Sequence, residues 1–264
     1  MRSTLKAATA GALLLPSLAL LPTSAAAQSA FTHVHLRVPD TTAAAAWYQE
    51  LLGGELREGG PGPSIRFANG FIGTMANEGT AAPSRGSVID HFAIAVADVD
   101  EALVRARRLG AVVAVERQAG NARAATFEDP WGTRVELIEE PGPARVHHVH
   151  LAVSNSDDVR DWFLAVFGGE LDAEPGRDEA HRIHYGDLAV YVSEAREPGR
   201  APSRGRALDH MGFRIDATLP AFEETIGETG YSPYLVRPNP PGSDLMFFEG
   251  PGGIHFEIAE RAAR

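Results

Sequence analysis

The chain has 264 residues, 44% of them hydrophobic and 22% charged, with no cysteine and a formal net charge of −11. That length suits two domains of ordinary size, and the composition is that of a folded globular protein. The acidity argues against a nucleic acid or an anionic membrane surface as partner, and the lack of cysteine excludes disulfides, a lipid-bearing N-terminal cysteine and a thiol nucleophile.

Residues 1–27 read as a signal peptide. Arg2 and Lys6 form a short basic start, residues 7–21 are apolar, and Ala25, Ala26 and Ala27 supply the small residues of a cleavage site before Gln28. Pro16 interrupts the apolar run, which falls short of the ~20 residues that span a bilayer. The expectation is a periplasmic or secreted protein with no membrane contact after cleavage. Loss of Arg2 and Lys6 with the signal takes the formal charge from −11 to −13.

The mature chain opens on HVHLRV, beginning at His33, whose alternation predicts a half-buried strand. A helix follows from Asp40 and Thr41 through Trp47 to Leu51, closed by Gly53 and Gly54, and then strands over 64–68 and 71–75. HFAIAV at His91 starts the pattern again. Asp98 and Glu101 form a capping-box-like helix start, the helix reaches Leu109, and strands follow over 111–115 and 134–138. After a Pro-Gly-rich linker, HVHLAV at His148, a helix over 154–167, HMGFRI at His210 and a helix over 219–230 repeat the scheme.

The repeat is close. His33 to His148 is an offset of 115, His91 to His210 of 119, and Glu136 in PWGTRVEL to Glu257 in PGGIHFEI of 121. LLGGEL at 51–56 recurs as VFGGEL at 166–171, and APSRG at 82–86 recurs at 201–205. The expected division is a domain over 28–140, a linker over 141–145 and a domain over 146–264, each made of two strand–helix–three-strand units.

Two copies of a His, His, Glu set point to divalent metal, because such a set leaves coordination positions open for substrate. If the strand of His33 pairs with that of His91, then His33, His91 and Glu136 converge, and His148, His210 and Glu257 do the same in the second copy. Strand alternation places His35 and Arg37 on the face of His33, His150 with His148, Arg214 with His210, Arg134 with Glu136 and His255 with Glu257. His35 and His150 are the preferred acid–base residues, with an orienting role toward a ligand weighed equally. Arg37 and Arg214 are candidates for gripping a substrate carboxylate. Tyr191 is a weaker acid candidate, expected first as a packed strand aromatic, Trp47 and Trp162 are expected as core residues, and His181 and His184 are expected at the surface or lining a pocket ahead of forming an extra metal site.

These motifs together, with residues 127–136 (FEDPWGTRVE) the most specific piece, resemble the vicinal oxygen chelate superfamily over most of residues 31–260. The group includes glyoxalase I, extradiol dioxygenases and fosfomycin-resistance proteins. The resemblance implies an α+β fold of four βαβββ units forming two tandem cupped-sheet domains, one metal in each. It implies His33, His91 and Glu136 as ligands in the first domain and His148, His210 and Glu257 in the second. It further implies Lewis-acid chemistry on a small substrate chelated through adjacent oxygens.

Glyoxalase I-like members add a fourth, acidic ligand on the strand before the second histidine, where this chain has FIGTM at 71–75 and LAVYV at 188–192. Extradiol members tend to carry a tyrosine where this chain has Thr126 and Phe247. The expected function is therefore an exported divalent-metal enzyme of isomerase, epimerase or lyase type. An extradiol-type dioxygenase and a non-catalytic small-molecule sequestration protein are the alternatives. Fe(II), Mn(II), Ni(II) and Zn(II) all suit the ligand set, and pairing into a homodimer is open.

Overall fold

The computed structural model describes residues 29–119, 122–173, 179–239 and 244–261. The expected signal segment 1–27 lies outside them. Four βαβββ units follow one another. Unit 1 comprises β1 (Ala30–Val38), α1 (Thr41–Leu52), β2 (Glu55–Arg57), β3 (Ser64–Arg66) and β4 (Phe71–Ala76). Unit 2 comprises β5 (Ile89–Val96), α2 (Val99–Arg108), β6 (Val112–Ala119), β7 (Ala122–Glu128) and β8 (Arg134–Glu139). Unit 3 comprises β9 (Arg145–Val153), α3 (Ser156–Phe167), β10 (Glu170–Leu171), β11 (His181–Tyr185) and β12 (Leu188–Glu194). Unit 4 comprises β13 (Leu208–Ile215), α4 (Leu219–Glu228), β14 (Pro233–Arg237), β15 (Leu245–Glu249) and β16 (His255–Glu260).

Each helix starts where a short polar side chain takes over an unpaired amide of the first turn. Asp40 accepts from Ala43, Asp98 from Glu101, Asn155 from Asp158 and Thr218 from Ala221. Gly53 closes α1 with φ of 74°, a conformation that costs a side-chain-bearing residue far more.

The units combine into two eight-stranded mixed sheets. One runs β14-β15-β16-β13-β1-β4-β3-β2 and the other β10-β11-β12-β9-β5-β8-β7-β6. Unit 1 thus shares a sheet with unit 4, and unit 2 with unit 3. The central seams are antiparallel, β1 against β13 and β5 against β9. This corrects the expected pairing of the His33 and His91 strands: they lie in different sheets.

Apolar packing runs the other way. Trp47 and Tyr48 on α1 meet Phe127 and Phe92 of unit 2, while Trp162 and Phe163 on α3 meet Phe256 and Phe213 of unit 4. Trp47 and Trp162 are buried, and each indole N–H is used, to the Leu109 carbonyl and the Thr229 hydroxyl. Consecutive units therefore share side-chain packing, while backbone hydrogen bonds stitch unit 1 to unit 4 and unit 2 to unit 3.

Candidate metal centres

The sheet order sorts the six expected ligands into two clusters, with membership different from that expected. Site 1 joins His33 on β1, His210 on β13 and Glu257 on β16; site 2 joins His148 on β9, His91 on β5 and Glu136 on β8. The expected groupings His33–His91–Glu136 and His148–His210–Glu257 do not form. Interchangeable histidine phrases in all four units leave the choice of partner strand open to sequence reasoning, and the antiparallel seams decide it.

A β-bulge aims one ligand of each site. Between the pairs Phe31↔Phe213 and His33↔Gly212 the first sheet has an extra residue, Thr32, and between Val146↔Ile94 and His148↔Ala93 the second has His147. The hydroxyl of Thr32 donates to the Gly212 carbonyl at 2.9 Å, so its oxygen accepts from Nδ1–H of His33 at 2.9 Å. The His33 ring fits because position 212 is glycine: a Cβ there would stand 1.9 Å from the imidazole. In site 2, Nδ1 of His147 lies 2.8 Å from Nδ1 of His148, and Nε2 of His147 lies 3.4 Å from Glu140. His147 with its proton on Nε2 satisfies both contacts and accepts from His148.

The second histidine of each site is held by the aspartate directly before it. Asp209 Oδ1 accepts from Nδ1 of His210 at 2.7 Å, and Asp90 Oδ2 accepts from Nδ1 of His91 at 2.9 Å. These carboxylates are themselves fixed. Asp209 also accepts from His255 Nδ1 at 2.8 Å, Arg37 Nε at 2.5 Å and the Gly205 amide at 2.6 Å. Asp90 takes Arg134 at 2.6 Å and Arg200 at 2.8 Å. The APSRG repeats build this shell: the loops pair with each other at Ala82↔Arg206 and Ser87↔Ala201, and Ser84 and Ser203 anchor residues Asp90 and His255.

Every ligand histidine thus has Nδ1 engaged and Nε2 turned to the carboxylate. Nε2 of His33 and of His210 each lie 3.5 Å from Glu257; Nε2 of His91 and of His148 each lie 3.5 Å from Glu136. Those spacings are long for hydrogen bonds. The Nε2 atoms of His33, His91 and His148 are buried with no hydrogen-bond partner. Such atoms are costly unless something takes the lone pair, so both clusters fit a divalent metal.

Electrostatics agrees. Burial pushes His33 down to about 4, against the pull of Glu257, and burial with neighbouring histidines pushes His148 well below its ordinary value, so both are neutral lone-pair donors at neutral pH. Burial would also lower His91 and His210, but the hydrogen bonds to Asp90 and Asp209 outweigh it and raise them. Burial would raise Glu257, yet its close approach to His210, His33 and His35 holds it well below the usual carboxylate range.

The two sites differ around this core. In site 1, His35 pairs across the parallel ladder with Gly73, where a Cβ would come within 2.3 Å of its ring, so it leans inward and places Nδ1 2.8 Å from Nε2 of His210. In site 2 the matching residue, His150, pairs with Tyr191 across the ladder, bonds the Ser193 hydroxyl at 2.8 Å and keeps a ring nitrogen within 4.8 Å of those of His91 and His148. Phe71 lies flat on His33 at 4.3 Å, and Tyr191 lies flat on His148 at 3.9 Å. Site 1 opens into a cavity of about 570 Å³ whose lining includes His33, His35, Glu257 and Arg214.

Arg37 is committed to Asp209, which corrects its expected substrate-gripping role. His181 and His184 pair with Asp157 and Asp172 away from both centres. Asp90, Asp209 and Arg200 were missed by sequence reasoning, although the repeated Asp-His steps of IDHF and LDHM carried a signal for the first two.

Residues 30–137 match the family model Glyoxalase/Bleomycin resistance protein/Dioxygenase superfamily. The chain is similar to a lactoylglutathione lyase of Salmonella typhimurium, 29% identical over 127 residues, covering 43% of this chain and 94% of that protein. A lactoylglutathione lyase of Escherichia coli O157:H7 is likewise 29% identical over 129 residues, with the same coverage of both chains. Among solved structures, glyoxalase I from Zea mays superposes with a TM-score of 0.72 over 89% of this chain and 93% of that one, at 18% identity. With residues 30–137 matching that family model and with two cupped sheets of βαβββ units, the chain has the fold of the glyoxalase/bleomycin resistance protein/dioxygenase, or vicinal oxygen chelate, superfamily.

Proposed function

We propose that the protein is an exported, divalent-metal-dependent enzyme of isomerase, epimerase or lyase type, with site 1 as its reaction centre. The observation that carries this reading is the buried, unpartnered Nε2 of His33 facing Glu257 at the wall of an open cavity. His33, His210 and Glu257 would hold the metal, whose contribution is Lewis-acid stabilisation of charge on two neighbouring substrate oxygens.

The chain's own residues supply the rest. His35, kept neutral by burial and by the adjacent His210, is placed to accept a proton beside the ligands. Asp209, pinned by four donors, fixes the tautomer and orientation of His210. The lactoylglutathione lyase relatives support lyase-type chemistry. The strand that would carry a fourth carboxylate brings Phe71 and Gly73 instead, which favours a substrate other than a glutathione adduct.

Elemental analysis of the chain from Gln28 onward, purified without chelators, tests the reading, followed by screening diols and α-hydroxyketones for turnover. About two equivalents of a transition metal per chain and turnover abolished by His33→Ala are expected. A protein that takes up no metal on reconstitution would overturn it.

A further inference from the structure

The cavity over site 1 is cationic in a protein of net charge −11. Arg57, Arg66, Arg214 and Arg237 line it, with Glu58 as well as the ligand Glu257. Arg57 is answered by Glu55 at 2.8 Å. Among the described residues, none of Arg66, Arg214 and Arg237 has a carboxylate within ion-pair distance.

Their placement is tied to the metal ligands. The guanidinium of Arg66 sits 4.4 Å over the ring of Phe71, which is stacked on His33. Arg237 sits 5.5 Å over Phe247, whose ring meets that of His210 edge-on at 5.9 Å. Arg214 follows His210 by four residues on β13, on the same face, with only Gly212 between them. Two cations are therefore each one aromatic ring away from a different ligand histidine, and the third stands along the ligand's own strand. Stacking restrains a guanidinium plane while leaving its N–H fork free for an anion.

Site 2 contains the same stack built from other positions. Arg182 lies 4.7 Å over Tyr191, and Tyr191 lies flat on His148. Yet Tyr191 pairs with His150, as Gly73 does with His35, while Ala189 holds the place that Phe71 holds in site 1. The Arg–aromatic–His column recurs even though the aromatic has moved two residues along its strand.

We propose that the substrate of site 1 is an organic anion: a small molecule with two neighbouring oxygens for the metal and a separate carboxylate held by Arg66, Arg214 and Arg237. This rests on the metal-chelate reading above. The test is calorimetric titration of zinc-loaded protein at low salt with catechol and with three catechols bearing a carboxylate on progressively longer arms: protocatechuate, homoprotocatechuate and dihydrocaffeate. At least one carboxylate probe is expected to bind about tenfold tighter than catechol, the scale of three partly exposed charge contacts. The triple variant Arg66→Gln, Arg214→Gln, Arg237→Gln should lose that preference while keeping its zinc content and its affinity for catechol. Carboxylate probes within twofold of catechol, or a preference that survives in the triple variant, would overturn the proposal. Arginine-dependent binding of the carboxylate probes that is equal with and without zinc would support the anion subsite and overturn the chelate reading instead.

Discussion

Asp209→Asn is the most revealing single substitution. The wild-type carboxylate is fully buried and collects four donors, His210 and His255 on Oδ1 and Arg37 and the Gly205 amide on Oδ2. Asparagine keeps an oxygen for the histidines but turns an NH₂ group toward Arg37 and Gly205, setting donors against donors. Charge-assisted hydrogen bonds are worth roughly 1.5–3 kcal/mol each, and Arg37 can partly rehydrate, so the expected loss of stability is about 2–4 kcal/mol. Loosening His210 should weaken the metal at site 1 by roughly 10- to 100-fold. Site 2 should be untouched, because its aspartate is Asp90. Competition with a chromophoric chelator resolves the two affinities, and urea unfolding gives the stability. Equal weakening at both sites, or none at either, would refute the reasoning.

Gly212→Ala puts a methyl group 1.9 Å from the His33 ring, and should cost about 1–3 kcal/mol and one equivalent of metal per chain, read by elemental analysis. Gly73→Ala displaces His35 in the same way but should leave two equivalents bound while turnover falls; loss of an equivalent would make His35 a ligand rather than a proton carrier. Burial raises Asp129 to about 6, against the hydrogen bonds it accepts from Tyr48, Thr133 and Trp131. The folded state then binds more protons than the unfolded state between about pH 4 and 6, so stability falls as pH rises through that window, by at most about 3 kcal/mol. Asp129→Asn should flatten this segment of the stability profile in urea titrations, and an unchanged slope would contradict the assignment.

The sequence showed the units because their signals are local. The alternation after each histidine, the Asp40 and Asp98 caps and the glycines after α1 all depend on neighbours within a few residues. Boundaries moved where packing took over: β3 stops at Arg66 and β6 runs on to Ala119. All six candidate ligands were also visible, since His-x-x-x-x-Val/Ile and Gly-x-x-x-Glu recur at matched spacing. What was not visible was which units share a sheet. His33 and His148 sit in nearly identical phrases, so nothing local tells β1 to pair with β13 rather than β5. The aromatic packing of α1 on unit 2 and α3 on unit 4 even favours the other grouping, and it is the packing that the linear repeat reports. His35 and His150 read alike in sequence and both stand in their site's histidine cluster, yet with Gly73 opposite one and Tyr191 opposite the other, His35 bonds His210 and His150 bonds Ser193.

Each candidate metal centre draws its residues from both halves of the chain. Metal content of two double variants tests this pairing. His33→Ala with His210→Ala should remove only site 1 and leave about one equivalent per chain, whereas His33→Ala with His91→Ala should remove both. The opposite pattern, with His33 and His91 behaving as partners in one site, would contradict the account.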